Sequence, residues 1–122
     1  MKNMIFDTSA EMTDIYDLLL HLGVTANYTG FFHTAFAVHL AVQEPERLLL
    51  VTKCLYPEVA GRYRTNWNCV ERNIRTIAAL AWDRGRPVLE ELAHHPLMDR
   101  PKTSEFLAIL AAYLLPNWSG DA

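Results

Sequence analysis

The stretch from Leu55 to Arg86 constrains the fold of this chain more than any other part of its sequence. It begins with a short helical segment, because Pro57 belongs to the residue type favoured in the first turn of a helix. Its second half repeats apolar residues with a helical period. At about 100° per residue, one narrow arc collects Val70, Ile74, Ile77, Ala78 and Ala81. The pattern predicts a short helix, a tight connection and a longer helix, which is the layout of a helix-turn-helix.

The face opposite this apolar stripe is polar and basic. It carries Asn68, Arg72 and Arg75, with Glu71 at its margin. Arginine forks onto guanine, asparagine pairs with adenine, and glutamate accepts from the cytosine amino group. We therefore take Asn68, Glu71, Arg72 and Arg75 as candidate base-reading residues. The alternative is a solvated face, since exposed helices commonly carry arginine and glutamate at these spacings.

Charge is distributed unevenly along the chain, whose formal net charge is −3. Between Lys53 and Arg86, seven basic residues oppose three acidic ones, a net charge of +4, while the remainder carries −7. An acidic total argues against a non-specific nucleic-acid binder. The basic segment nevertheless predicts one surface that faces a polyanion, with chance clustering as the alternative. We expect Lys53, Arg62 and Arg64 to contact DNA phosphates, and Asn66 to cap the longer helix beside a phosphate.

Size and composition predict one all-α domain. With 122 residues, 51% of them hydrophobic, the chain can bury a core and is not a disordered tail. No segment alternates as a strand does, and no apolar run approaches the ~18 residues of a membrane span. We expect a single domain over residues 1–122, with an ordered core at about 13–115 and six or seven helices. The expected helical segments are Thr13–Leu22, Phe31–Val42, Pro45–Cys54, a helix from Pro57, a longer helix closed by Gly85, Val88–His94, and Thr103–Leu115 with Thr103 as N-cap.

Catalytic and metal chemistry have little support in the sequence. His94 and His95 are adjacent, so on a helix they point about 100° apart and chelate poorly. His33 and His39 lie in an apolar helix and are expected to be buried. We expect no enzymatic activity, no metal and no cofactor. Without a signal peptide, the two cysteines are expected to be free thiols in a reducing cytosol. Cys69 lies near the start of an arginine-rich helix, so a role as a redox-sensing thiol stays an alternative.

Longer motifs in the chain resemble a known family. They are TK-x-LYP-[DE]-[IV]-A, VER-x-IR and A-x-AW-x-RG within VTKCLYPEVAGRYRTNWNCVERNIRTIAALAWDRG, preceded by LLLHLGVTANYTGFFHTAFAV and followed by KTSEFLAILAAYL. Together they resemble the C-terminal effector domain of the stage-zero sporulation protein A family of response regulators. The resemblance covers Thr13 to Leu115, nearly the whole chain.

This resemblance implies a six-helix DNA-binding domain with a central helix-turn-helix. The longer helix would enter the major groove of a short promoter box, and domains would sit in tandem on adjacent boxes or contact RNA polymerase. Carried onto matching positions, Glu71, Arg72 and Arg75 would be readers, and Thr65 and Asn66 would contact phosphates. The implied protein is a bacterial, cytoplasmic regulator that associates with the nucleoid when bound.

The chain also departs from the family pattern. Cys69 stands where arginine is usual, Trp67 and Asn68 replace small residues, and Asn73 replaces alanine. Thr29 takes the place of a lysine, and His94 to Arg100 is unlike the family. No receiver domain is expected, so regulation would not use aspartyl phosphorylation. These departures leave a rival hypothesis: a protein-interaction module impaired in DNA binding that modulates a full-length homologue or RNA polymerase.

Overall fold

A computed structural model describes residues 2–115 of the chain, with side chains from residue 12 onward. The described part is helical throughout its regular structure and contains no strand, which confirms the all-α class. In chain order the elements are α1 (Lys2–His21), α2 (Thr29–Gln43), a 3-10 helix (Pro45–Leu49), α3 (Val51–Cys54), α4 (Tyr56–Tyr63), α5 (Trp67–Ala93) and α6 (Thr103–Leu114). Apart from α1, which begins at Lys2 and not at Thr13 as expected, the division into helices differs from the expected one at two places.

The first difference lies in the segment 45–54, which was expected to be one helix. It is split into the 3-10 helix and α3 by Leu50, whose backbone is non-helical at φ −141° and ψ 66°. Because the chain turns there, Leu49 and Leu50 point outward with 80% and 55% of their surface exposed. The apolar pattern of this segment predicts a buried Leu49 within a single helix, and this prediction is wrong.

The second difference concerns Gly85, which was expected to end the long helix. Instead α5 continues to Ala93 through a kink at Gly85, where φ is −132° and ψ is 30°. The carbonyl oxygen of Leu22 lies 2.5 Å from the point where a Cβ of residue 85 would stand. Glycine is needed for this close approach of the end of α1, and His94 in the left-handed conformation ends the helix. The separate helix expected at Val88–His94 is thus the last part of α5.

The core forms where α5 packs against α2, α4 and α6. The predicted stripe is confirmed, since all five of its residues are at most 1% exposed. Further large buried side chains come from the other helices, from the residues next to them and from the second half of α5: Leu19, Leu22, Phe31, Val38, Leu55, Tyr56, Leu89, Phe106, Leu107 and Leu110. His33 and His39 are buried as expected. Burial lowers the pKa of His33, whose Nδ1 lies 3.4 Å from the Asn73 amide nitrogen.

The crossing of α2 over α5 depends on Gly30. A Cβ at this position would stand 2.3 Å from the main-chain oxygen of Asn73 and 2.8 Å from Ile77. No side chain other than hydrogen fits between the two helices here. The short separation brings the apolar face of α2 onto the stripe of α5 and so sets the rotation of α5 about its own axis.

We predict that Gly30→Ala lowers the free energy of unfolding by about 1–3 kcal/mol, because overpacking forces α2 and α5 apart. Gly61→Ala is the matched control: Gly61 is exposed in α4, and a Cβ there meets nothing within 4 Å. We expect this change to be neutral or to stabilise by up to about 1 kcal/mol through helix propensity. Urea unfolding followed by circular dichroism measures both, and equal effects of the two changes would contradict the packing assignment.

Candidate nucleic-acid interface

A three-residue connection, Arg64 to Asn66, joins α4 to α5. Arg64 adopts the left-handed conformation, with φ 56° and ψ 49°, and the N–H of Thr65 donates to the carbonyl of Ala60 at 3.0 Å. Ala60 is 5% exposed, and its small side chain lets the two helices approach each other. The connection is therefore tight, as the sequence predicts, and it presents Arg64 at the surface.

Asn66 caps α5 as predicted. Its backbone is extended, and its side-chain oxygen accepts a hydrogen bond from the Cys69 N–H at 2.9 Å. This bond satisfies one of the donors that a helix leaves without a partner in its first turn. The N-terminus of α5, with its partial positive charge, is thereby held at the surface next to Arg64.

The polar face of α5 lies opposite the buried stripe, as the helical period predicts. Asn68, Arg72 and Arg75 are all exposed on it. The Arg72 guanidinium lies 3.6 Å from the Cys69 sulfur, and the Arg72 carbonyl accepts from the Thr76 hydroxyl at 3.2 Å. Because the stripe is buried over its whole length, α5 can present only this face to a ligand.

Glu71 differs from the other three candidate readers because both its carboxylate oxygens have partners. Oε2 accepts from the Thr103 hydroxyl at 3.1 Å, and Oε1 lies 3.5 Å from Nη2 of Arg75. Burial and the charge of Glu71 together raise the pKa of the Tyr56 hydroxyl to about 12. Glu71 thus connects the start of α6 to Arg75 on the polar face.

Thr103 does not have the role that the sequence predicted for it. It is the first residue of α6 rather than its N-cap, which is Lys102. Its side chain is 9% exposed and turns toward Glu71 on α5. Threonine at the start of a helix commonly caps it, which is why the sequence favours that role. The hydrogen bond to Glu71 depends on the packing of α6 on α5, which the local sequence does not show.

The basic residues of the segment 53–86 do not all lie on one surface. Arg84 donates to the Gly23 carbonyl at 3.1 Å, and Arg86 donates to the Leu97 carbonyl at 2.7 Å and stacks 4.3 Å from the Trp82 ring. These two arginines connect the second half of α5 to the loops that contain Gly23 and Leu97. Part of the positive charge of segment 53–86 therefore stabilises the fold.

Lys53 and Arg62 line a groove with a volume of about 830 Å³. The groove carries three basic residues, the third being Arg47, and three acidic ones, Glu44, Glu46 and Glu58. The Arg62 guanidinium also stacks 4.9 Å above the Phe36 ring. Positive and negative charges balance here, unlike on the polar face of α5.

Two aromatic residues near the connection are more exposed than expected. The helical pattern predicts that Tyr63 packs inward and that Trp67 lies near the core side of α5, yet they are 37% and 41% exposed. The Tyr63 ring lies 4.9 Å from the His33 ring at the edge of α2, and burial raises the pKa of its hydroxyl. Within the first turns of α5 it is Val70, three residues after Trp67, that is fully buried in the core.

A family model described as "Sporulation initiation factor Spo0A C terminal" matches residues 15–114. The chain belongs to this family. The match runs from α1 to the end of α6, so it includes α4, the connection and α5. The family is one of DNA-binding effector domains of sporulation regulators and not a family of enzymes, and the chain is therefore a DNA-binding regulator in this general sense.

Other kinds of site find no support among the described residues. Between residues 12 and 115, no three histidine, cysteine, aspartate or glutamate side chains lie close enough to hold a metal ion. Of the helices that the structure describes, none has the length and apolar character needed to cross a membrane.

Cys69 lies three residues before Arg72 on α5, and its sulfur contacts the Arg72 guanidinium. The pKa of the Cys69 thiol is lowered chiefly by a hydrogen bond with Thr65, against the opposing effect of burial, and it is lowered further by the hydrogen bond and the charge of the Arg72 guanidinium. In a Cys54→Ser background, we predict that the alkylation rate of Cys69 has its midpoint at a pH below that of an ordinary thiol. Thr65→Val should raise the midpoint more than Arg72→Ala does.

Arg75→Ala is the control for this measurement, because it removes a guanidinium from the same face that does not touch the thiol. We expect it to leave the alkylation midpoint unchanged. A midpoint that moves equally in the Arg72 and Arg75 variants would show a diffuse charge effect and would contradict the local contact.

Proposed function

We propose that the chain is a sequence-specific DNA-binding transcriptional regulator whose helices α4 and α5 form a helix-turn-helix. In this proposal α5 enters the major groove of a short promoter box. The observation that carries it is the division of α5 into a fully buried stripe and an opposite exposed face bearing Asn68, Arg72 and Arg75. A helix fixed by its core side presents its readers at defined positions, which base discrimination requires.

The readers would have different tasks. Arg72 and Arg75 would donate to base acceptors, with guanine the best partner for a forked guanidinium. Asn68, nearer the N-terminus of α5, would supply a further base contact. Glu71 would tune the reading, since its ion pair with Arg75 at 3.5 Å limits the positions that this guanidinium takes.

Residues at the connection would contact the DNA backbone. Arg64, Thr65 and Asn66 lie where α5 begins, and the N-terminus of a helix favours a phosphate. Lys53 and Arg62 would add contacts from the edge of the charge-balanced groove. Because acidic side chains line that groove as well, we expect each of these two contacts to be modest.

In this proposal the domain would act on DNA alone or in pairs on tandem boxes, and it would contact RNA polymerase. Leu49 and Leu50 offer an apolar surface for such protein contacts, because they are exposed where the chain turns at the start of α3. The same surface supports the rival proposal, a protein-interaction module with impaired DNA binding. Cys69, at a position where the family usually has arginine, favours this rival because one guanine contact would be missing.

Fluorescence anisotropy with a family-type box and with a scrambled duplex distinguishes the two proposals. For a sequence-reading protein we expect at least a ten-fold preference for the box, with affinity falling as salt rises. Arg72→Ala should cost about 1–3 kcal/mol on the box and relax the preference. Arg62→Ala should weaken binding to both duplexes alike, because a phosphate contact carries no sequence information.

Arg84 is unsuitable as a control because it supports the fold, so Asn27→Ala, in the exposed loop before α2, serves as the reference variant. Weak and equal binding of the wild-type protein to both duplexes, with no preferred sequence after selection from random duplexes, would refute the reading role of α5. A stable complex with RNA polymerase or a homologue under the same conditions would then favour the interaction module.

A further inference from the structure

A second groove runs along the flank of α5, between this helix and the segment that leads into α6. Its volume is about 480 Å³, and its charged lining consists of Glu71, Arg75, Arg100 and Lys102. Tyr56 and Thr103 contribute to its floor. We name it the α5–α6 groove. It is separate from the groove that holds Lys53 and Arg62.

The α5–α6 groove has an excess of positive charge. Three of its lining residues are basic and one is acidic, whereas the larger groove has three of each. The acid, Glu71, is already engaged by the Thr103 hydroxyl and by Arg75. Arg100 and Lys102 are exposed, and neither side chain forms an ion pair within residues 12–115. Two cationic groups are therefore available at this surface.

The groove is continuous with the face that we propose reads DNA. Arg75 belongs to both surfaces, because it is exposed on the polar face and also lines the groove. The segment that carries Arg100 and Lys102 is held in place on each side: Pro101 is buried, and Thr103 is bonded to Glu71 on α5. The backbone that carries the two cations is thus held beside α5.

We propose that the α5–α6 groove binds the phosphate backbone of the DNA duplex whose major groove receives α5, with Arg100 and Lys102 as the contacting residues. This inference rests on the proposed function. The connection between α4 and α5 and the α5–α6 groove lie at different parts of α5. The phosphates bound at Arg64 and those bound at Arg100 would therefore flank the reading helix. The α6 N-terminus, which opens into the same groove, adds partial positive charge.

Arg100 and Lys102 lie outside the basic segment that the sequence singles out, and Arg100 ends a stretch unlike the family pattern. Folding brings them beside Arg75, some twenty-five residues away in sequence, through the packing of α6 on α5. The positive surface beside α5 therefore includes two residues that a count of charges along the sequence does not group with the basic segment.

The test uses the double variant Arg100→Gln/Lys102→Gln in anisotropy titrations with the box and the scrambled duplex over several salt concentrations. We expect affinity to fall by the same factor on both duplexes, and the slope of log K against log salt to shrink by about two. The charge-preserving variant Arg100→Lys/Lys102→Arg should retain the wild-type slope. Thermal unfolding of each variant checks that the fold is kept.

An unchanged salt slope in the glutamine variant, while the wild-type protein binds the box, would overturn the groove assignment alone. A loss confined to the box would also overturn it, since backbone contacts weaken all sequences. Failure of the wild-type protein to bind either duplex would instead refute the proposed function, and binding of an acidic peptide in the groove would then identify a protein partner.

Discussion

The close approach of α2 to α5 at Gly30 is the contact on which the rest of the structure depends. The main-chain oxygen of Asn73 occupies the space that any side chain at position 30 would need. With the two helices this close, Ile74 and Ile77 are fully buried and α5 has one allowed rotation. The exposed positions of Arg72 and Arg75 follow from that rotation, because they lie on the opposite side of the same helix.

A chain of polar contacts then connects the core to the surface. Thr103 donates to Glu71, and Glu71 pairs with Arg75, so the start of α6 and the polar face of α5 are parts of one arrangement. In the proposed account Glu71 has two effects. It limits the positions of a reading arginine, and it holds the segment with Arg100 and Lys102 against the reading helix. Replacing Glu71 would therefore disturb base reading and backbone binding together.

Sequence patterns predicted those features that depend on interactions between residues close together in the chain. The period of apolar residues identified the buried stripe of α5, and the residue preference at helix starts identified Asn66 as its cap. The kink at Gly85 was not predictable in this way, because its cause is the Leu22 carbonyl of another helix. The charge count likewise grouped Arg84 with the DNA-facing residues, although its partner is the Gly23 carbonyl, sixty-one residues earlier. The candidate readers remain predictions, whereas their exposure on one face of α5 is an observation.

The most direct test of the account is a map of the protein surface that DNA contacts. Titrating the isotopically labelled protein with a box duplex, and following backbone and arginine side-chain resonances by nuclear magnetic resonance, gives this map residue by residue. The account predicts that the largest shifts lie at Asn68, Arg72, Arg75, Arg100 and Lys102, with small shifts at Asp14, Asp17 and Tyr113, which line a separate groove. Shifts centred on Leu49 and Leu50, or none on the polar face of α5, would contradict it.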